Sequence, residues 1–145
     1  MGYGGVSPSV AVEFDTYQNS SSGDADGNHV GININGALTS VVQAPVRERM
    51  NDGGIWYAWL DYDGSLQTME ARIARTPDRP TLPIVSMAQI DLPKILGRAD
   101  VYVGFMSKST KYLYTFLQLI PQYTDVPPNI EAKRIISYFS AVLCY

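Results

Sequence analysis

The sequence predicts an all-β chain, an antiparallel two-sheet sandwich of the jelly-roll type. Two observations point there. Short stretches in which apolar and polar residues alternate recur between clusters of Gly, Pro, Asn, Asp and Ser. Ten tyrosines and frequent β-branched residues favour sheet over helix. A hydrophobic content of 46% and a charged content of 17% are globular values. At 145 residues the chain is long enough to bury about two thirds of its unfolded surface.

The first strand is expected at Val10–Thr16, where Val10, Val12 and Phe14 alternate with Ala11, Glu13 and Asp15. The second is His29–Asn35, where Val30, Ile32 and Ile34 alternate with His29, Gly31 and Asn33. Between them, Ser20-Ser21-Ser22-Gly23 and Asp26-Gly27-Asn28 have loop composition. Asn51-Asp52-Gly53-Gly54 breaks the chain before a strand at Ile55–Tyr62, and Asp63-Gly64 reads as a hairpin turn into Leu66–Ala74. Pro77, Pro80 and Pro83 mark an irregular connection leading to Ile84–Gln89. Val101–Met106 and the apolar run Tyr112–Ile120 are further strands, and Pro121 and Pro127-Pro128 break the chain after them. Glu131–Tyr145 sets Ile135, Ile136, Phe139, Val142 and Leu143 on one helical face, which predicts a short C-terminal helix docked on exposed sheet. Its polar face is too weakly basic for a membrane-surface anchor.

Composition excludes several function classes. A net charge of −3 and a pI near 5.0 give no electrostatic case for nucleic acid or an anionic membrane. The lone Cys144 rules out an internal disulfide framework. No stretch approaches a membrane span, and the first residues lack a charged-then-apolar secretory signal.

Chemistry concentrates between Val10 and Ile34. Glu13, Asp15, Tyr17, Asn19, Asp24 and His29 follow one another at offsets of two, two, two, five and five, and His29 is the sole histidine. Glu13 and Asp15 share a sheet face, roughly 6.6 Å apart along the strand. If the two strands pair through their loop, His29 joins that face. Three carboxylates and an imidazole without a thiolate suit a divalent transition ion of the manganese kind. Calcium prefers more oxygens, and the Tyr17 carbonyl, the Asn19 side chain and Asp24 offer them. Asp15 and Asp24 can each bridge, so two adjacent cations use the six groups better than one. Trp56, Tyr57 and Trp59 read as core in preference to an exposed stacking platform. Asp61 and Asp63 beside Gly64 read as turn formers in preference to a calcium loop.

The run Ser9-Val10-Ala11-Val12-Glu13-Phe14-Asp15-Thr16-Tyr17-Gln18-Asn19, then Asp24, then Asn28-His29-Val30-Gly31-Ile32-Asn33-Ile34-Asn35 resembles the metal-binding motif of the legume-type (L-type) lectins. Residues 54–64, 90–97 and 101–105 resemble later segments of that family, so the likeness spans about Gly2 to Ser107, closest in flavour to its bacterial members. The resemblance implies a concanavalin A-like fold and a non-catalytic, calcium- and manganese-dependent carbohydrate-binding module. Glu13, Asp15, Asp24 and His29 would bind the transition ion, and Thr39 would hold one of its waters. Asp15, the Tyr17 carbonyl, Asn19 and Asp24 would bind calcium. The Asn19 amide would donate to a sugar hydroxyl while the Tyr17 ring packs on the sugar's apolar face. The partner expected is a carbohydrate or glycoconjugate, the setting secreted or cell-surface, and a homo-oligomer is compatible.

The family also uses an Asp and a Gly-rich loop upstream of the metal strand, so the expectation is a truncated domain. Residues 1–110 would be the C-terminal portion of a lectin domain and 111–145 a divergent tail. Two other readings compete. A metal-stabilised structural or adhesive sandwich keeps the ions and drops the sugar. A jelly-roll glycoside hydrolase would read Glu13 as nucleophile and need an acid at position 18, where Gln18 stands. An amide cannot donate and retake a proton near neutral pH, so the catalytic reading is poor.

Overall fold

The computed structural model describes residues 4–97 and the backbone of residues 137–141. In chain order the elements are β1 (Val10–Asp15), a single 3-10 turn at Ser20–Ser22, β2 (His29–Ile34), β3 (Val42–Pro45), β4 (Trp56–Asp63), β5 (Thr68–Ala74), β6 (Val85–Met87), the short helix α1 (Leu92–Leu96) and β7 (Ser137–Ala141). They form two antiparallel sheets, ordered β1-β2-β3 and β6-β5-β4-β7.

Period-two alternation decides which faces meet. In the first sheet Val10, Val12 and Phe14 share a face with Val30, Ile32, Val42 and Ala44. In the second sheet Trp56, Leu60 and Tyr62 share one with Met69, Ala71, Ile73, Val85 and Met87. These two faces pack on each other as one core with Met50 and Ile90, and Val30 and Ile32 are completely buried in it. Tyr62 stitches the α1 end to the sheet by donating its hydroxyl to the Ile90 carbonyl at 2.8 Å. The expected all-β two-sheet sandwich is therefore present.

Most strand expectations hold to within two residues. The β4–β5 turn is built by Asp63, whose carboxylate accepts from Ser65 N, Ser65 Oγ and Leu66 N, so β5 starts at Thr68, two residues after the expected position. Trp56 and Trp59 are buried on opposite faces of β4, and Tyr57 stacks on Trp59 with ring centroids 6.4 Å apart. The core reading therefore holds for Trp56, while Trp59 is buried on the other face and Tyr57 is half-buried outside the core.

One expectation is overturned. The helix over Glu131–Tyr145 is not formed at Ser137–Ala141, which is strand β7 paired with β4 from Leu60↔Ser137 to Trp56↔Ala141. Once β5 occupies one side of β4, the other side still offers a row of backbone donors and acceptors. An extended segment with aromatic residues satisfies them. The strands expected at Val101–Met106 and Tyr112–Ile120 lie outside the described residues. The sequence reading missed β3 and α1. For α1 the signals were present: Asp91 caps the helix by accepting from Lys94 N, Pro93 sits in its first turn and Gly97 ends it.

Candidate metal centre

The face of the first sheet that points away from the core carries the chemistry. Cross-strand partners project to the same side, and the register aligns Asp15 with His29 and Glu13 with Gly31. The same rows continue on β3 as Pro45 beside His29 and Gln43 beside Gly31. This face is polar yet buried: Glu13 is 4% exposed, Asp15 8% and His29 1%. Loop 16–28 supplies the cover, because it leaves β1 and returns over the strand ends before β2.

Small residues and turn hydrogen bonds make that return possible. Tyr17 N donates to Asp15 Oδ1 at 2.8 Å, which turns the chain immediately after β1. Asn19 N donates to Asp24 Oδ2 at 2.6 Å and folds the loop so that the Asp24 carboxylate comes back over the face. Gly31 leaves room opposite Glu13, since a Cβ there would meet Ser40 Oγ, come within 2.9 Å of Glu13 Oε1 and displace both side chains. The space it leaves admits Ser40, whose hydroxyl donates to Glu13 Oε1 at 2.7 Å.

The result is a convergent donor set. One ligand atom each from Asp15, Asp24 and His29 lies within 4.8 Å of the others. His29 Nε2 is 3.5 Å from Glu13 Oε1 and 3.9 Å from Asp24 Oδ1. His29 Nδ1 lies 3.0 Å from the Asp26 carbonyl. A carbonyl only accepts, so Nδ1 donates to it, and Nε2 is the ring nitrogen turned toward the carboxylates, the one a cation would take. That Nε2 is buried with no hydrogen-bond partner.

Electrostatics agree with the geometry. Burial raises the Asp15 carboxyl above its ordinary value of 3.8, Tyr17 N opposes this, and the neighbouring Glu13 carboxylate adds to the rise. The other charges acting on Asp15 are His29 and Asp24, and neither is a Lys or an Arg. Buried carboxylates around an imidazole nitrogen that has no hydrogen-bond partner match what a divalent cation requires, so the residues present fit such an ion.

The six sequence-chosen residues separate into two groups. Glu13, Asp15, Asp24 and His29 come together around the imidazole. Tyr17 and Asn19 stand on the covering loop, Tyr17 with 64% of its surface exposed and Asn19 just before the Ser20–Ser22 turn, its carbonyl accepting from Ser22 N. Thr39 is exposed with its methyl group beside Gly23, and the hydroxyl that reaches Glu13 belongs to its neighbour Ser40. Sequence reasoning also missed the braces. Asn28 donates to the carbonyls of Val46 and Glu48 and accepts from Met50 N, which ties the start of β2 to the segment after β3. Gln18, in the position a hydrolase would give to its acid, donates instead to the carbonyls of Asp24 and Ala25, each at 3.4 Å. None of these braces had a motif to announce it.

Comparison with known proteins decides the family. Residues 5–120 match the family described as the legume lectin domain. The chain belongs to that family. This lectin domain is 36% identical over 121 residues to the L-type lectin-domain containing receptor kinase S.1 of Arabidopsis thaliana, covering 72% of this chain and 18% of the relative. It is 39% identical over 110 residues to the lectin-domain containing receptor kinase VI.3 of the same plant, covering 66% and 16%. With the L-type lectin-domain containing receptor kinase V.9 it shares 34% over 146 residues, covering 87% and 20%. The chain thus spans about a fifth of the length of these relatives. The family is one of carbohydrate-binding lectin modules with a concanavalin A-like sandwich, in accord with the two sheets of this chain. Among the described residues no helix is long and apolar enough to cross a membrane.

Proposed function

We propose that this lectin domain binds a carbohydrate or glycoconjugate without catalysis, through a loop held in place by calcium and a manganese-like divalent ion. The observation that carries this reading is the buried His29 Nε2, which lacks a hydrogen-bond partner and faces the carboxylates of Glu13 and Asp24. Glu13, Asp15, Asp24 and His29 would hold the transition ion. Asp15, the Tyr17 carbonyl, Asn19 and Asp24 would hold calcium. When bound, the ions supply positive charge that offsets the clustered carboxylates and the cost of burying them.

The chain's own residues do the rest. Asp15 and Asp24 already accept from Tyr17 N and Asn19 N, so fixing these carboxylates fixes the loop backbone that presents Tyr17 and Asn19. A polar, weakly held ligand gains most from such preorganisation, because less ordering cost falls on the binding step. The exposed Tyr17 ring offers an apolar surface to a sugar, and the Asn19 amide offers a directional donor. Ser40, whose hydroxyl reaches Glu13 Oε1, would hold an ion-bound water in place of the exposed Thr39. An extracytoplasmic setting follows from the same reading, since relatives are named as receptor kinases with lectin domains.

A glycan array probed in calcium and manganese tests the proposal. Binding should appear with the ions, vanish in chelator and fall sharply in Asn19→Ala. Chelator-independent binding, or an Asn19→Ala variant that binds as the parent does, would overturn it. Cation binding with no glycan bound would favour a metal-stabilised structural sandwich.

A further inference from the structure

By register β3 brings Gln43 onto the site face, and both halves of its amide are used on the same short piece of loop. Gln43 Oε1 accepts from Ala25 N at 3.1 Å, and Gln43 Nε2 donates to the Gly23 carbonyl at 3.0 Å. The residue between those two contacts is Asp24. An amide that accepts and donates in this way imitates one more strand, and it fixes the peptide groups flanking Asp24.

We propose that Gln43 is a positioning residue for the cation site, acting through Asp24. The inference rests on the cation-binding reading of Glu13, Asp15, Asp24 and His29. The other hydrogen bonds that shape Asp24 come from within its own loop: Asn19 N donates to Oδ2, Gln18 donates to its carbonyl, and its own N–H donates to the Asn19 carbonyl. Contacts of that kind move with the loop and cannot tie it to the sheet. Gln43 can, because it stands in the same cross-strand row as Gly31 and Glu13. The row therefore links two carboxylate donors, Glu13 directly and Asp24 through the Gln43 amide, to one level of a rigid sheet. Without it, the Gly23–Ala25 segment must be ordered when the ion binds, and that cost appears as lost affinity.

The test is Gln43→Leu in the full chain, with calcium and manganese titrated calorimetrically and melting followed in chelator and in saturating ions. Affinity should fall about tenfold, on the scale of outer-shell contacts elsewhere. Melting in chelator should fall no more than the loss of two exposed hydrogen bonds allows, while the rise produced by ions shrinks in addition. A merely structural role would lower both melts together and leave affinity intact. Arg75→Leu serves as that structural control, because Arg75 joins β5 to Glu48 and Asp52 and caps Trp56, its guanidinium carbon 3.9 Å from the ring centroid. Gln43→Asn, one methylene too short to span both contacts, should behave as the leucine variant does and carries the test if that variant does not fold. Parent and Gln43→Leu binding ions equally would overturn the inference and spare the metal reading. A parent that binds neither ion would overturn both.

Discussion

Among the described residues, a cluster of acidic side chains on each sheet solves the same electrostatic problem in a different way. On the second sheet Asp61 and Glu70 are neutralised from within. Arg72 donates to Asp61 at 2.6 Å and to Glu70 at 2.7 Å, and Arg79 adds a further contact to Asp61. On the first sheet the charges that act on Asp15 are Glu13, Asp24 and an imidazole. One cluster carries its own cations, whereas the other, on the function proposed, takes a cation from solution. Charge compensation built from side chains makes a fixed scaffold. Compensation delegated to an ion makes a part of the fold conditional on that ion.

The two clusters should therefore respond to different perturbations. The largest expected effect is Arg72→Met, which leaves Asp61 and Glu70 beside each other. The arginine side chain is 7% exposed, Asp61 13% and Glu70 31%. Breaking a buried pair costs about 3–5 kcal/mol, and partial exposure with Arg79 still in place argues for the lower end. Urea denaturation should show that loss while the stabilisation given by divalent ions stays unchanged. Next is chelation. At about a hundred times its dissociation constant an ion adds roughly 2.7 kcal/mol, so excess chelator should lower the melting temperature of the parent. An unchanged melt would erase the proposed difference between the clusters. Ser40→Ala is smaller. Loss of its hydrogen bond to Glu13 Oε1 should cost about 1 kcal/mol.

The smallest change, and the sharpest, is Asp15→Asn. It keeps the acceptor for Tyr17 N and removes a charge whose ionisation burial opposes. In the ion-free chain it should raise the melting temperature, and the rise brought by ions should disappear. The pH dependence has a definite sign. A carboxyl raised in the fold above 3.8 destabilises when ionised, so that penalty is absent below 3.8 and complete once pH exceeds the folded value. The stability difference between Asp15→Asn and the ion-free parent should then grow as pH rises through the Asp15 titration. A difference independent of pH would contradict this.

Much of the site could be read from local pattern. Alternation along β1 and β2 puts Glu13 and Asp15 on one face, and a hairpin-like return of the chain delivers His29 beside Asp15. The features that were not legible depended on distant contacts. β3 is four residues long, ends in Pro45 and has no alternation strong enough to announce itself. The interval from His29 pointed to Thr39. Yet the pairing of Val41 N with the Ile32 carbonyl fixes how the segment recrosses Gly31, and there Ser40 meets Glu13. Gln43 became informative only when the loop it grips was seen beside it. The helical pattern around Phe139 could not register the free side of β4, some eighty residues earlier in the chain, that Ser137–Ala141 occupies.

Electron paramagnetic resonance of Mn²⁺ tests the central claim most directly, because the six-line signal of the free ion collapses when the ion is held by protein. Titrating the full chain should remove the signal of about one ion per chain, with the parent and not with Asp15→Ala. A parent that leaves the free-ion signal at full strength would contradict the account.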